Sequence, residues 1–593
     1  MFRGFRWQLI ALILAIVLFL AGAIFRLSRQ TSRLQPAAPT PTVVLPEYAT
    51  AEFTEEARAI ATAVTAPATQ AVLSRDTLPA YREGLVGVVR RLNPLFAHLN
   101  PVDRDISSLI FEGLFARNEY GEVLPRLAEQ LVISSDGIEY VVKLRQDIRW
   151  QDGTAFSAAD VVYTMSLLSD PEYARISPVG EFWETVETQK LSDHLLRFRL
   201  AQPLSSFPHL LTIGILPEHA LRGTTIAQLA QHPFNLSPIG TGPYQLAELR
   251  LGTGDAISAV ELARSPLYTE RPESQGRYYL SRLSFHLFQN AEAALGAYSS
   301  GAVNALANVA QRDRLLTLPN SRVYTQVAPS IGMLIFNWKE VPFAERRLRQ
   351  ALSLSLDLPE LVRKHLGADV TYADSPYSPG SSVYLPQAFW HSYDLAQARA
   401  LLDAAGIFAA ETVDTSADAD SAEADTVGAR FSLLIEDRSP LRNLADEIAA
   451  QWGQLGFQVE IDGVGADDLT NRLSTGRFQT AIVELPVGGD FDLYRYWHPA
   501  QYGNGRNYGA ASDHEVAELI EKARREIYPN RRAALYQQLQ DAFAEGAIAL
   551  PLYYPLYTFV VSDQIESIQL GYLASPADRF RGIGDWRIAA PTS

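Results

Sequence analysis

The stretch RWQDGTAFSAADVVYT (149–164) gathers two carboxylates and a hydroxyl, groups that acid-base or nucleophilic catalysis requires. Their spacing argues for a backbone role instead. Asp152-Gly153 is a turn signal after Trp150. Ser157 stands three residues before Asp160, and the apolar residues Val161, Val162, Met165 and Leu168 follow. That order predicts a helix opened by a capping box, worth ~1 kcal/mol at the cap. The same grammar recurs at Asp357 with Glu360, at Asp394 with Gln397 and a closing Gly406, and at Ser512 with Glu515. Acidic groups at helix starts also complement the helix dipole. They are not read as catalytic carboxylates, and no enzyme activity is expected.

Other chemistries find little support. There is no cysteine, which removes disulfides, thiolate ligands and an acylated lipoprotein cysteine. Gly240-Thr241-Gly242 lacks the later Gly-Lys-Ser/Thr of a phosphate loop and reads as a strand-entry turn. No Gly-x-Ser-x-Gly elbow is present. His194, His209, His219 and His232 show no paired helical spacing, so neither a metal nor another cofactor is expected. His391 and His498 read as surface or packing residues. Aromatics cluster at Phe389-Trp390, in YRYW (494–497) and in YGNGRNY (502–508). They suit a solute cleft, and equally the inside of a domain. Asn504 and Asn507 read either as hydrogen-bonding groups for a solute or as turn caps.

The elements that must position any site alternate in period. LVIS (131–134), Asp136-Gly137 and IEYVVKLR (138–145) predict a hairpin, with strands again at 194–200 and 282–288. The segment 429–492 predicts β-α-β-α-β. FSLLIE (431–436) is followed by a helix capped at Ser439-Pro440 and stopped by Gly456. Next come FQVEI (457–461), a helix around 466–475, and FQTAIVEL (478–485). Such a unit implies parallel strands with right-handed crossovers, and ligands sit beyond their carboxyl ends. Two loops lie there: Glu436–Ser439, which holds Arg438, and Pro486–Asp492, which holds Gly488, Gly489 and Asp490.

The 593 residues carry a net charge of −16, which argues against nucleic acid as a partner. Residues 7–25 are almost wholly apolar and long enough to anchor the chain in a membrane. Ala21-Gly22-Ala23 resembles a signal-peptidase site, so cleavage near Ala23 is the alternative. A Pro/Ala/Thr-rich spacer and stalk fill 34–83, and 409–428 reads as a disordered acidic insertion.

A series of motifs then runs in a fixed order. Asn93-Pro94 precedes DISSLIFEGLF (105–115), LPRLAEQ (124–130) and KLRQDIRWQDGTAFSAADVVYT (143–164). GTGPYQL (240–246), FNWKEVPFAERRLRQALSLSLD (336–357) and YDLAQARALLDAAGI (393–407) follow. The series resembles the family 5 extracytoplasmic solute-binding proteins of peptide/nickel-type ABC importers. GTGPYQL and the PFAERRLRQALSLSLD run are its most specific pieces, and the resemblance covers about 84–593.

The resemblance implies an α/β, periplasmic-binding-protein-like fold of three lobes (class II, cluster C type) with two hinge crossovers, at 300–306 and 551–557. Lobe Ia would take 84–103, 205–302 and 556–593, lobe Ib 104–204, and lobe II 303–555. Asn304 stands where an acidic residue is common. In the oligopeptide binders an Asp shortly after the strand matching FQTAIVEL pairs with the peptide α-amine, with a Trp just before it. Here Leu485 replaces that Trp, Gly488 falls at the Asp position, and Asp490 and Asp492 are nearby. The expected solute contacts are Asp490, Asp492 and Arg438, with Asn93 near the cleft entrance. Arg438 would meet a carboxylate bidentately. The implied protein is a monomer outside the cytoplasm, periplasmic or at the cell surface. It would pass a peptide or similar small solute to ABC permease subunits. The alternative is a membrane-tethered sensor or chaperone-like interaction protein that kept the fold and lost import.

Overall fold

The computed structural model describes residues 81–589 except 178, 253, 255, 270–276, 387–391, 408–429 and 488. The anchor, the spacer, Phe389-Trp390, His391, Gly488 and the acidic insertion lie outside the described residues. The described residues open with the strand Tyr81–Val86, which starts three residues before Gly84. Arg82 and Glu83 hide this strand from a hydropathy reading, although Tyr81 and Glu83 are both fully buried.

Twelve strands form one sheet. Its path runs Gln458–Val464, Arg430–Glu436, Thr480–Pro486, Ser330–Phe336, Ala549–Ser562, Ala305–Ala307, Tyr81–Val86, Arg282–Phe288, Ile257–Arg264 and Tyr244–Leu251. Ser321–Val327 and Val370–Tyr372 also pair with Ala549–Ser562. Arg430–Glu436 is parallel to both of its neighbours, as the β-α-β-α-β rhythm predicts. A separate four-stranded antiparallel sheet contains the predicted hairpin, with Ile133 opposite Tyr140.

Two halves emerge from where the apolar side chains go. One core gathers residues from 81–307 and 557–588. The other half packs the two faces of one sheet region. Ile331, Met333 and Ile335 enter one core, while Leu334 and Phe336 enter the other. Strands covered on both faces read as continuous apolar runs, which is why SIGMLIF and TAIVELP show no alternation.

The helix starts carry the polar residues of the motifs. Ser157 and Asp160 form the capping box, and Asp160 also accepts the Glu218 amide at 2.9 Å. Asp152 holds the Thr154 amide and His219. Two starts differ by one residue from expectation. Asp513, not Ser512, caps His514–Arg525, because its carboxylate reaches the Val516 amide at 3.0 Å. Arg438, not Ser439, precedes Ser439–Gly453, and its side chain forms no cap. That helix also closes earlier than expected, with Gln454 as its C-cap and Gly456 beyond it in a left-handed conformation. Gly240 sits so close to the carbonyl of Ile110 that a Cβ there would lie 1.8 Å from the oxygen. The GTG run is therefore a close backbone crossing at the entry to Tyr244–Leu251.

The first half is pinned by one buried cation. Arg579 donates to Glu83 at 2.8 Å and to Asp105 at 2.7 Å, tying the C-terminal tail to the strand Tyr81–Val86 and the helix Pro101–Ile110. Tyr81 donates to the other oxygen of Glu83 at 2.6 Å, and Arg104 to the other oxygen of Asp105 at 2.8 Å. Burial pushes the Glu83 carboxyl up, opposed by Arg579, while the two carboxylates hold the guanidinium firmly charged. Removing the cation strands two acids in the core. Arg579→Ala is expected to destabilise the protein by about 3–5 kcal/mol. Denaturant unfolding checks this, and a loss below about 1 kcal/mol would contradict the assignment.

Candidate functional site

The loop after Thr480–Pro486 turns on an uncommon conformation. Phe491 has φ 57, in the left-handed region that bulky side chains avoid. The kink separates its two acidic neighbours. Asp492 accepts the Tyr494 amide at 2.9 Å and pairs with Arg524 at 2.9 Å, whose guanidinium lies 4.0 Å from the centre of the Tyr494 ring. Among the described residues no cation forms such a pair with Asp490. Its carboxylate receives one long bond, 3.4 Å, from the Asp492 amide. Burial and the adjacent Asp492 push the Asp490 carboxyl up to about 6, against the pull of Arg117. Burial also raises Asp492, with Arg524 opposing.

A second segment of the same half reaches this loop. Ser375 to Ser382 is held from below by the Tyr554 hydroxyl, which donates to the carbonyls of Ser375 and Tyr377. Tyr377 packs edge-on against Tyr536 at 5.7 Å. Burial and the acidic pair raise its phenol far above the usual range, so it stays protonated. Its hydroxyl nevertheless has no partner, and neither do those of Ser378 and Ser381.

The facing wall comes from the first half. A hairpin joins Phe115–Arg117 to Val123–Pro125. Asn118 shapes its tip by accepting the amides of Tyr120 and Glu122, and Gly121 takes a φ of +81. A side chain at Gly121 would collide with Phe491 and Tyr572. Arg117 lies against Gly489, its Nε 2.6 Å from where a Cβ of that glycine would stand. One guanidinium nitrogen donates to the His209 carbonyl at 3.3 Å, while Nε is buried without a partner. His209 packs on Phe491 at 5.7 Å with both ring nitrogens unpartnered. Burial, with Arg117 and Arg532 nearby, lowers its pKa to about 3, so the ring is neutral. Ser206 Oγ is unpartnered as well.

The halves also touch directly. The Ser205 amide donates to the Arg524 carbonyl at 2.6 Å, its hydroxyl to the Ala523 carbonyl at 2.9 Å, and the Ser382 amide to the Tyr120 carbonyl at 3.1 Å. The hollow beside Asp492 and Arg524 amounts to about 10 Å³, room for a single water. Buried polar atoms in folded proteins are almost always bonded. Several unbonded ones, on Arg117, Ser206, His209 and Tyr377, lie on the segments through which the two halves meet.

Asp490 and Asp492 thus stand on a loop where the two halves meet. Arg438 belongs to another group, at the carboxyl ends of the parallel strands, with Glu436 at 3.2 Å and Glu484 at 3.9 Å. Asn93 is fully buried, donating to Asn235 and accepting the Leu95 amide, so its amide shapes a turn within the first half. Asn507 caps a turn by holding Ala511 from both sides, and Asn504 is exposed. Trp497 packs into the core on Phe543, and Leu485 is buried. Arg117, Ser206, His209, Tyr377 and Ser378 escaped the sequence reading. The turn grammar of NEYG and SPYSPG marks two of their three segments, but nothing local says that these distant segments converge.

A family model described as bacterial extracellular solute-binding proteins, family 5 middle, matches residues 122–515. The oligopeptide-binding protein AppA of Bacillus subtilis (strain 168) is 25% identical over 522 residues, covering 85% of this chain and 91% of that protein. Among solved structures, the ABC transporter substrate-binding protein CtaP of Listeria monocytogenes matches with a TM-score of 0.70 at 22% identity, over 86% of this chain and 99% of that one. AppA of Bacillus subtilis in complex with a nonapeptide matches with a TM-score of 0.62 at 24% identity, over 86% and 99%. The α/β, periplasmic-binding-protein-like architecture is common to all of them. With two cores joined through one sheet, and a family model covering most of the described residues, this chain belongs to the family 5 bacterial extracellular solute-binding proteins.

Proposed function

We propose that the chain captures a peptide or a similar small solute outside the cytoplasm and delivers it unaltered to ABC permease subunits, tethered to the membrane by its N-terminal segment. The two halves close on the solute, with lobes Ia (84–103, 205–302, 556–593) and Ib (104–204) against lobe II (303–555). The solute contacts both walls in the closed form alone and so shifts the population toward it. The observation carrying this reading is that Arg117 and His209 of one half, with buried unbonded atoms, pack against the Gly489–Asp492 loop of the other, where Asp490 stands. The relative AppA is named an oligopeptide-binding protein, and one structure of it holds a nonapeptide. Asp490 is the anchor for the solute's amine. Asp492 is already engaged by Arg524 and supports the loop. Arg438 stands apart, available to a carboxylate beyond the main cleft.

Asp490→Asn is expected to weaken a peptide ligand by about 2–5 kcal/mol, the cost of losing one partner of an enclosed charge pair. Asp357→Ala should leave affinity unchanged and cost ~1 kcal/mol of stability, because Asp357 caps a helix. Calorimetric titration of both variants with a peptide library checks this, and equal losses of affinity would misplace the cleft.

The same anchor sets a pH dependence. An amine cation binds the carboxylate anion, so affinity falls as pH drops through the Asp490 value of about 6. About a tenfold loss is expected between pH 7 and pH 5, absent in Asp490→Asn. For the ligand-free protein the sign reverses. A carboxyl raised by folding favours the native state below its unfolded value, and that contribution is lost as pH rises through about 6. The Asp490→Asn protein should therefore lose part of the melting-temperature decline that the parent shows between pH 5 and pH 7.

A further inference from the structure

Asp490 and Arg117 carry opposite charges on opposite walls of the cleft, and neither is satisfied. Arg117 lies close enough to lower the proton affinity of Asp490, yet no ion pair joins them among the described residues. The carboxylate has its one long amide bond, and the guanidinium its one bond to the His209 carbonyl. The other charges nearby are engaged, Asp492 with Arg524, Arg581 with Asp578 and two carbonyls, and Arg532 with the carbonyls of Ser205 and Glu526. The neutral groups beside them are able to serve a peptide unit. Ser206, Tyr377 and Ser378 offer hydroxyls, and the His209 ring offers a donor and an acceptor.

The cleft is also short of room. Phe491 fills it from one wall, wedged between His209 and Tyr572 at 5.7 and 5.9 Å. Gly121 lets that wedge approach, because any side chain there would meet both rings. Backbone contacts at Ser382–Tyr120 and Ser205–Arg524 join the walls elsewhere. An extended nonapeptide spans roughly 30 Å and a dipeptide roughly 7 Å. A longer ligand has more of this wall-to-wall contact to displace than a shorter one. A peptide enclosed whole brings both charged termini inside, and each must find a counter-charge or destabilise the complex.

We infer that the cleft selects short peptides with both ends free, the amine held by Asp490 and the carboxylate by Arg117, with Phe491 as the wedge that excludes longer chains. This rests on the peptide-binding reading above and narrows it. Arg117 is a binding residue by this account, and its planar fork suits a carboxylate bidentately.

The test is calorimetric titration of the full chain at pH 7. The probes are a dipeptide library, its best binder as the C-terminal amide and as the N-acetyl form, and a nonapeptide library. The free dipeptide is expected to bind at least about tenfold tighter than its amide and its N-acetyl form. Arg117→Ala should bring the free acid down to the level of the amide and leave the amide unchanged, with Arg117→Lys intermediate. Phe491→Ala should raise nonapeptide affinity relative to the parent. The amide comparison needs no variant, so a poorly folding Arg117→Ala does not decide the matter. Equal binding of acid and amide overturns the inference, as does an Arg117→Ala loss that is the same for both. Nonapeptides binding tightest to the parent chain, with Asp490→Asn still weakening them, would overturn the short-ligand claim and leave the peptide reading standing. No binding by peptides of any length would remove both.

Discussion

One strand holds the molecule together, and every other feature is arranged around its register. Ala549–Ser562 runs for fourteen residues through the middle of the sheet. Its first part pairs with Ser330–Phe336 and Val370–Tyr372, and its second part with Ser321–Val327 and Ala305–Ala307. Leu550, Leu552 and Tyr553 pack into the second half, while Tyr557, Phe559 and Val561 pack into the first. A slip of one residue would turn each of these side chains to the wrong face of both halves at once. The halves are thereby fixed in register along the sheet, and the pairing changes partner near Pro555.

That constraint explains a contrast in how buried charge is treated. Around Arg579 each carboxylate oxygen that faces the interior has a donor, and the guanidinium reaches two acids and a carbonyl. The network lies within one half, where nothing needs to move. At the cleft the same fold leaves Arg117, His209, Ser206 and Tyr377 with unbonded atoms. Unbonded polar atoms cost stability, and these lie on the segments through which the two halves meet. The left-handed Phe491 belongs to the same economy of strain, since its ring gains its packing from His209 and Tyr572 across the cleft.

Much of the scaffold was legible one segment at a time. The capping box at Ser157, the hairpin turn at Asp136-Gly137 and the parallel unit of 429–492 are local patterns, and local backbone chemistry produces them. The one-residue shift to Asp513 has an equally local cause, since Ser and Asp are both good caps and the sequence does not say which reaches the amide. The buried Glu83 was not legible, because its partner lies 496 residues away. The group of loops that meets around Phe491 was half legible. Asp490 and Asp492 follow a strand of a recognisable unit, so topology pointed to them. Arg117, His209 and Tyr377 sit on three other segments with no motif of their own.

The sequence by itself determined most of the elements, several of their caps, the class of fold and the family, because these rest on periodicity, turn chemistry and motif order within short stretches. The tertiary structure alone decided which polar residues meet. It buried Asn93 and Asn507 as turn holders, set Arg438 among surface acids, and brought Arg117 against Gly489. Convergence of loops from residues 117, 209, 377, 490 and 572 depends on the shared strand and on two cores packing against it. That is a long-range property, which no window of the chain encodes.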